Sequence, residues 1–218
     1  MKLYVNGCSF SYGNTLNNKL AWPDFIEDFD VINESWIGSS NKRIIRRTIE
    51  YIQNNNIEDT FFVIQLSDWV RDEWYDTEFD TWIGMCKDSV VLDDRSYNRS
   101  DIDHEELHRK VINYVQHSLL HRSIKTVEQE TFNLVNTLVA FLNKHNVNYL
   151  ITGMSSKCMP KENKINILMP TNFAKPISIV AGKNVISNTD SHPDEAGHKL
   201  FARYIIDEIK NYERFTKL

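Results

Sequence analysis

The chain predicts an α/β fold: a mostly parallel sheet of about five strands with helices on both faces, in three α/β/α layers. Three observations carry this. Short apolar runs alternate with amphipathic helical segments along the whole chain. One run, "TFFVIQL" at 60–66, is almost continuously apolar, β-branched and aromatic, the pattern of a strand buried on both faces of a parallel sheet. Small or polar residues follow the first three runs, where such sheets bind their ligands.

Taken in order, "KLYVN" (2–6) is the first strand and "DVINESW" (30–36) the second, each with aliphatic positions bounded by polar ones. "SNKRIIRRTIEYIQ" (40–53) puts Ile44, Ile45, Thr48, Ile49 and Ile52 on one helical face, with Ser40 or Asn41 as N-cap and "NNN" as terminator. Its basic residues read as the solvated face of that helix. After the strand at 60–66 comes an acidic, tryptophan-rich stretch, "SDWVRDEWYDTEFDTWIG" (67–84), which reads as irregular. "LDDRSYNRSDID" (92–103) reads as exposed loop. Helical patterning resumes at 105–121 and 126–145, "VNYLITG" (147–153) is a buried strand, and "MPKENKINILMP" (159–170) has no clear pattern. "ISIVAG" (177–182) suits a last short strand. "PDEAGHKLFARYIIDEIKNYERF" (193–215) is a closing helix with Leu200, Phe201, Tyr204, Ile205 and Ile209 on its apolar side.

The 218 residues, 41% apolar, suit one domain spanning 1–218, with a Trp-rich loop or lid inserted around 67–104. A net charge of -5 with no basic patch argues against nucleic-acid and anionic-membrane partners. No stretch reaches the ~18 consecutive apolar residues of a membrane helix, and the start lacks a signal peptide. The expectation is a cytoplasmic protein, or one released with a lysing host. Cys8, Cys86 and Cys158 are odd in number and widely spaced, which suits a reducing compartment and offers no metal pattern.

Chemistry concentrates at the two ends of the chain. "YVNGCSFSYGN" (4–14) sets Ser9 on a glycine-bounded turn leaving the first strand. "NTDSHPDEAGHKLFA" (188–202) sets His192 at the entrance of the closing helix, with Pro193 in its first turn and Asp194 and Glu195 at the positive end of its dipole. Asp190 projects to the side of His192 if that segment is extended, where it can hold the imidazole in the right tautomer. A hydroxyl, a histidine and a carboxylate are the inventory of acyl transfer. Cys8 is a second candidate nucleophile, but successive side chains leaving a strand point oppositely, so Cys8 and Ser9 cannot both face one site. Cys8 suits a small apolar packing role.

"NGCSFSYG", "IGSSN" (37–41), a polar residue after the third strand and "DSHPDEAGHKLFA", in that order and spacing, resemble the sequence blocks of the SGNH or GDSL hydrolases. The resemblance spans nearly the whole chain through short blocks, and the ending is similar to that of short phage-encoded members. It implies a flavodoxin-like sheet, Ser9 as nucleophile, His192 as base, Asp190 as its partner and an oxyanion hole from the N–H groups of Ser9 and Gly38. It further implies an ester substrate, a short acyl or O-acetyl group on a carbohydrate or small alcohol, and no cofactor. Two departures stand out. Ser67 in "QLSDW" replaces the family's asparagine, so the third oxyanion donor is its hydroxyl, Asn41 or Gln65, or the hole is weakened. The family's acid usually lies three residues before the histidine, where this chain has Thr189, so Asp190 or a backbone carbonyl completes the triad.

Other readings compete. "HEELH" (104–108) matches the zinc-binding H-E-x-x-H, with Glu128 as a possible third ligand and His117 and His121 repeating the spacing. That segment is charged all round, and the plainer alternative is a solvated helix start near Asp103. Trp69, Trp74 and Tyr75 in the acidic stretch suit either sugar stacking or the packing of a lid whose Trp82 also faces inward. With the asparagine lost, a non-catalytic module binding a glycan or protein is the alternative to an esterase.

Overall fold

The computed structural model describes residues 1–13, 20–68, 71–77, 80–86, 89–92, 104–114, 124–158, 172–187 and 190–216. The chain runs β1 (Lys2–Asn6), a single turn α1 (Ser9–Tyr12), β2 (Asp30–Asn33), α2 (Asn41–Asn54) and β3 (Thr60–Leu66). It continues through β4 (Asp72–Asp76), β5 (Thr81–Cys86), β6 (Ser89–Leu92), α3 (His104–Tyr114), α4 (Ile124–Lys144), β7 (Asn148–Gly153), α5 (Ile177–Ala181) and α6 (Glu195–Thr216).

Four strands form a parallel sheet in the order β2-β1-β3-β7. Because side chains alternate along a strand, the sheet divides the core in two. Leu3, Val5, Phe61, Val63 and Leu150 face α5 and α6, where they meet Ile177, Phe201, Ile205 and Ile209. Tyr4, Phe62, Ile64, Tyr149 and Ile151 face α2 and α4, where they meet Ile44, Ile45, Ile52, Val135, Leu138 and Leu142. Each fully buried aliphatic or phenyl side chain contributes roughly 1.5–3 kcal/mol, so these two faces hold the layers together. The carboxyl edge of the sheet is left to the loops after β1, β2, β3 and β7.

Ser40 caps α2 as expected, its hydroxyl accepting the Arg43 N–H at 3.1 Å. The basic side of that helix is not simply solvated. Arg43 is buried, and Arg46 and Arg47 are half-buried, Arg46 in ion pairs with Glu50 and Glu73 and Arg47 with Glu34 and Glu50. Their partners explain a second difference. The stretch at 67–84 is not irregular, because β4, β5 and β6 form an antiparallel sheet. Asp72 and Glu73 are buried in β4, neutralised by Lys42 and Arg46 of α2, and the Arg46 guanidinium lies 4.1 Å above the Trp82 ring. Residues read as loop-forming by their charge are therefore strand residues docked on a helix.

A third difference is at 177–182, where the expected strand is the helical turn α5. Pro176 precedes it and accepts the Ile179 and Val180 N–H groups, and Gly182 closes it at φ 60°. Ile177 and Ala181, one helical turn apart, are buried while Ile179 is 57% exposed, a period of about 3.6 rather than 2. The fifth strand position is instead a single bridge, Phe173 against Ile151. The expectations at 93–103, 115–121 and 159–170 lie outside the described residues.

Candidate active site

Gly7 leads out of β1 because nothing larger fits. A Cβ there would lie 2.7 Å from Gln65 Oε1 and 2.9 Å from Gln65 Cβ. Beneath the turn, the Ser11 hydroxyl donates to that Oε1 at 2.6 Å and accepts the Trp22 indole N–H at 2.9 Å. Cys8 is fully buried in the core beside Phe10, with Sγ 3.7 Å from Gln65 Oε1. Ser9, the first residue of α1, turns the other way. Its Oγ lies 2.8 Å from His192 Nε2. Gln65 thus lies under the turn, its Oε1 committed to Ser11, and its Nε2 has no partner among the described residues.

His192 is fixed from several directions. Asp190 Oδ1 lies 2.7 Å from its Nδ1 and also accepts its backbone N–H at 3.0 Å. Asp190 is therefore drawn to the imidazole across a two-residue spacing, and the carbonyl alternative is not what the ring meets. The backbone N–H of His192, then burial acting in the opposite sense, then the ring itself leave the Asp190 carboxyl below the ordinary aspartate range. The Phe10 ring backs the imidazole at 4.5 Å. The His192 carbonyl accepts the Ile186 N–H at 3.0 Å, and the Asp194 N–H donates to the Asn184 carbonyl at 3.0 Å. Asp194 caps α6, its Oδ1 accepting the Gly197 N–H at 2.8 Å. Gly197 lets α6 approach this segment, since a Cβ there would lie 2.4 Å from the Asn184 carbonyl oxygen.

The flanking strands bring the other candidates alongside. β1 and β3 pair as far as Asn6 with Ile64, and Ser9 and Ser67 follow the carboxyl ends of these neighbouring strands. On the other side the Glu34 N–H donates to the Val5 carbonyl and the Trp36 N–H to the Gly7 carbonyl, which carries the β1–β2 ladder toward Gly38. Gly38 takes φ 69°, a left-handed conformation open chiefly to glycine. The N–H groups of Ser9 and Gly38 donate to no acceptor among the described residues. Asn41 is buried, and its side-chain amide is engaged with the Ser67 backbone: Oδ1 accepts the Ser67 N–H at 2.8 Å and Nδ2 donates to the Ser67 carbonyl at 3.2 Å. The Ser67 hydroxyl is enclosed and has no partner among the described residues.

Two of the aromatic candidates, Trp74 and Tyr75, lie on the antiparallel sheet. Tyr75 and Trp82 are a cross-strand pair of β4 and β5 with ring centroids 5.5 Å apart, and the Tyr75 hydroxyl bonds Asp80. Trp74 is half-buried on the same strand. Trp69 lies outside the described residues. The first turn of α3 contains the "HEELH" stretch, with Leu107 buried; the side chains of His104 and His108 lie outside the described residues, as do His117 and His121. Among the described residues no group of three metal-binding side chains is assembled, and no helix is long and apolar enough to cross a membrane.

Two features of the cluster escaped the sequence. Phe10 is a core residue by pattern, and only the fold brings it under the imidazole. His198, about one turn into α6, is 1% exposed, and burial, with the nearby His192 adding to it, lowers its pKa to about 4 against a weaker pull from Asp194. A histidine among apolar helix positions was the available signal.

No protein-family model matches the chain, and no curated protein does. Among solved structures it is similar to the psychrotrophic esterase EstA from a Pseudoalteromonas species, inhibited by monoethylphosphonate. The TM-score is 0.55 at 14% identity over 98% of both chains. It is also similar to a G-D-S-L family protein from Desulfitobacterium hafniense DCB-2, at TM-score 0.46 and 11% identity over 94% of this chain and 98% of that one.

Proposed function

We propose that this chain, which has the SGNH/GDSL hydrolase fold, is a serine esterase with Ser9 as nucleophile, His192 as base and Asp190 as its partner. One observation carries the reading: the run of two hydrogen bonds from Ser9 Oγ through the imidazole to Asp190, joining residues 183 positions apart. A serine, a histidine and a carboxylate in that order of contact form the arrangement that makes a hydroxyl nucleophilic at neutral pH.

In the proposed reaction Ser9 Oγ bonds to the ester carbonyl carbon as its proton passes to His192 Nε2. The carbonyl oxygen becomes an oxyanion facing the N–H groups of Ser9 and Gly38, the donors left without acceptors. The tetrahedral centre collapses, the C–O bond to the alcohol breaks, and Nε2 returns the proton to the leaving oxygen. A water, deprotonated by the same nitrogen, then attacks the acyl carbon, the bond from that carbon to Ser9 Oγ breaks, and Nε2 returns the proton to Oγ as the acid leaves. Preorganised N–H donors cost nothing to orient at that moment, which is why backbone amides at a fixed turn suit the role. Ser9 is only 7% exposed, which favours a short acyl group such as acetyl on a carbohydrate or small alcohol. The esterase EstA supports the reading by likeness of fold.

The alternative is a non-catalytic binding module, and one observation favours it: the third donor position holds Ser67, with its hydroxyl enclosed. An organophosphonate probe separates the two. The esterase takes up one phosphonyl group on the peptide containing Ser9 and hydrolyses p-nitrophenyl acetate. Ser9→Ala and His192→Ala lose turnover, and Ser9→Ala also loses labelling, with circular dichroism unchanged. A wild type that stays unlabelled and turns over no faster than Ser9→Ala is not an esterase.

A further inference from the structure

β3 ends at Leu66, where its ladder with β7 closes on Gly153 and the Leu66 carbonyl accepts the Met154 N–H at 2.9 Å. One residue later, Ser67 is completely buried and lies past the end of the β1–β3 ladder, which stops at Asn6 and Ile64. A buried backbone N–H and C=O left unpaired each cost about 1–3 kcal/mol, so this peptide needs partners. Asn41 supplies both from one side chain, its Oδ1 to the N–H and its Nδ2 to the C=O. Only a primary amide accepts and donates side by side in this way. A carboxylate lacks the donor, and a hydroxyl is too small to span both groups.

We infer that Asn41 is a positioning residue of the candidate site: its amide holds the Ser67 backbone so that the Ser67 hydroxyl is aimed at the oxyanion formed on Ser9. This rests on the esterase reading. Two further observations support it. Ser67 follows the carboxyl end of β3 as Ser9 follows that of the neighbouring β1. The Ser67 hydroxyl has no partner among the described residues, so its proton is free to be donated. Asn41 thereby has no contact with the reacting atoms; it acts through the residue it clamps.

A double-mutant cycle tests the inference, read as kcat and KM for p-nitrophenyl acetate. Ser67→Ala lowers kcat by about 10–100-fold with KM little changed, in the range for loss of one oxyanion donor or somewhat below it. Asn41→Ala lowers kcat by a similar factor, and the double variant is no slower than the slower single one. Asn41→Asp keeps the acceptor for the Ser67 N–H but loses the donor, so it too is slowed. It carries the cycle if Asn41→Ala fails to fold. A purely structural Asn41 would shift the melting temperature in both backgrounds without this kcat pattern. If the two losses multiply, Asn41 acts independently of Ser67 and the inference is overturned. It is equally overturned if either single substitution leaves kcat unchanged. Ordinary turnover with multiplying losses overturns this inference alone, whereas a wild type with neither turnover nor phosphonate uptake overturns the esterase reading and this one with it.

Discussion

Asp190 accepts two hydrogen bonds from one residue, the ring and the backbone N–H of His192, through the same oxygen. Asn at this position keeps the shape but offers no charge, and its amide nitrogen can rotate toward Nδ1 and reverse the tautomer. Asp190→Asn is therefore expected to lower kcat by roughly 10³–10⁴ while leaving the fold intact, measured by ester turnover beside a denaturation curve. A loss under about tenfold would mean that the carboxylate does not orient the ring. At this scale much was legible. A serine on a glycine-bounded turn, a histidine before a helix and the one nearby carboxylate on its upstream side were visible because each residue type carries its own chemistry. The bond between Asn41 and Ser67 was not, since an asparagine at a helix start reads equally well as a cap, and nothing local says that it reaches across to the next strand.

The loop from α5 and the start of α6 together deliver His192, and they touch where Gly197 lacks a side chain. Gly197→Ala would set a methyl 2.4 Å from the Asn184 carbonyl oxygen and 3.0 Å from Pro193 Cβ. Backbone atoms cannot swing away as a side-chain tip can, so the helix must back off and take Pro193 and His192 with it. The expected result is a loss of about 1–3 kcal/mol in urea denaturation, as for other overpacked sites, together with a drop in kcat. A variant of wild-type stability and rate would show that the two segments have slack. Elements were legible in the sequence where burial follows one period, as in β3 and α2. They were hidden where partners come from elsewhere. The carboxylates of β4 look solvated until Lys42 and Arg46 of α2 are set against them, and the aliphatic run of α5 imitates a strand until Pro176 and Gly182 confine it to one turn.

For the molecule as a whole, His198 ties stability to pH. Its folded pKa is lowered to about 4 from 6.5, so as the medium is acidified the unfolded chain takes up a proton first. The contribution is fully present above pH 6.5 and is lost as pH falls from 6.5 toward 4, in total about 3 kcal/mol. Urea midpoints of the wild type should fall across that window, and those of His198→Leu should fall less; equal slopes would reject the assignment. The layer order was readable from alternation alone, because both faces of a parallel sheet must be covered. The docked antiparallel sheet was not, because its stability depends on ion pairs between distant parts of the chain.

Ser9 and His192 are 183 positions apart, yet a single 2.8 Å hydrogen bond joins them. Synthesis runs in one direction, so a growing chain displays the serine long before its histidine partner exists. On the esterase reading, the nascent protein is chemically silent, and reactivity arrives as a late event of maturation, when α6 docks.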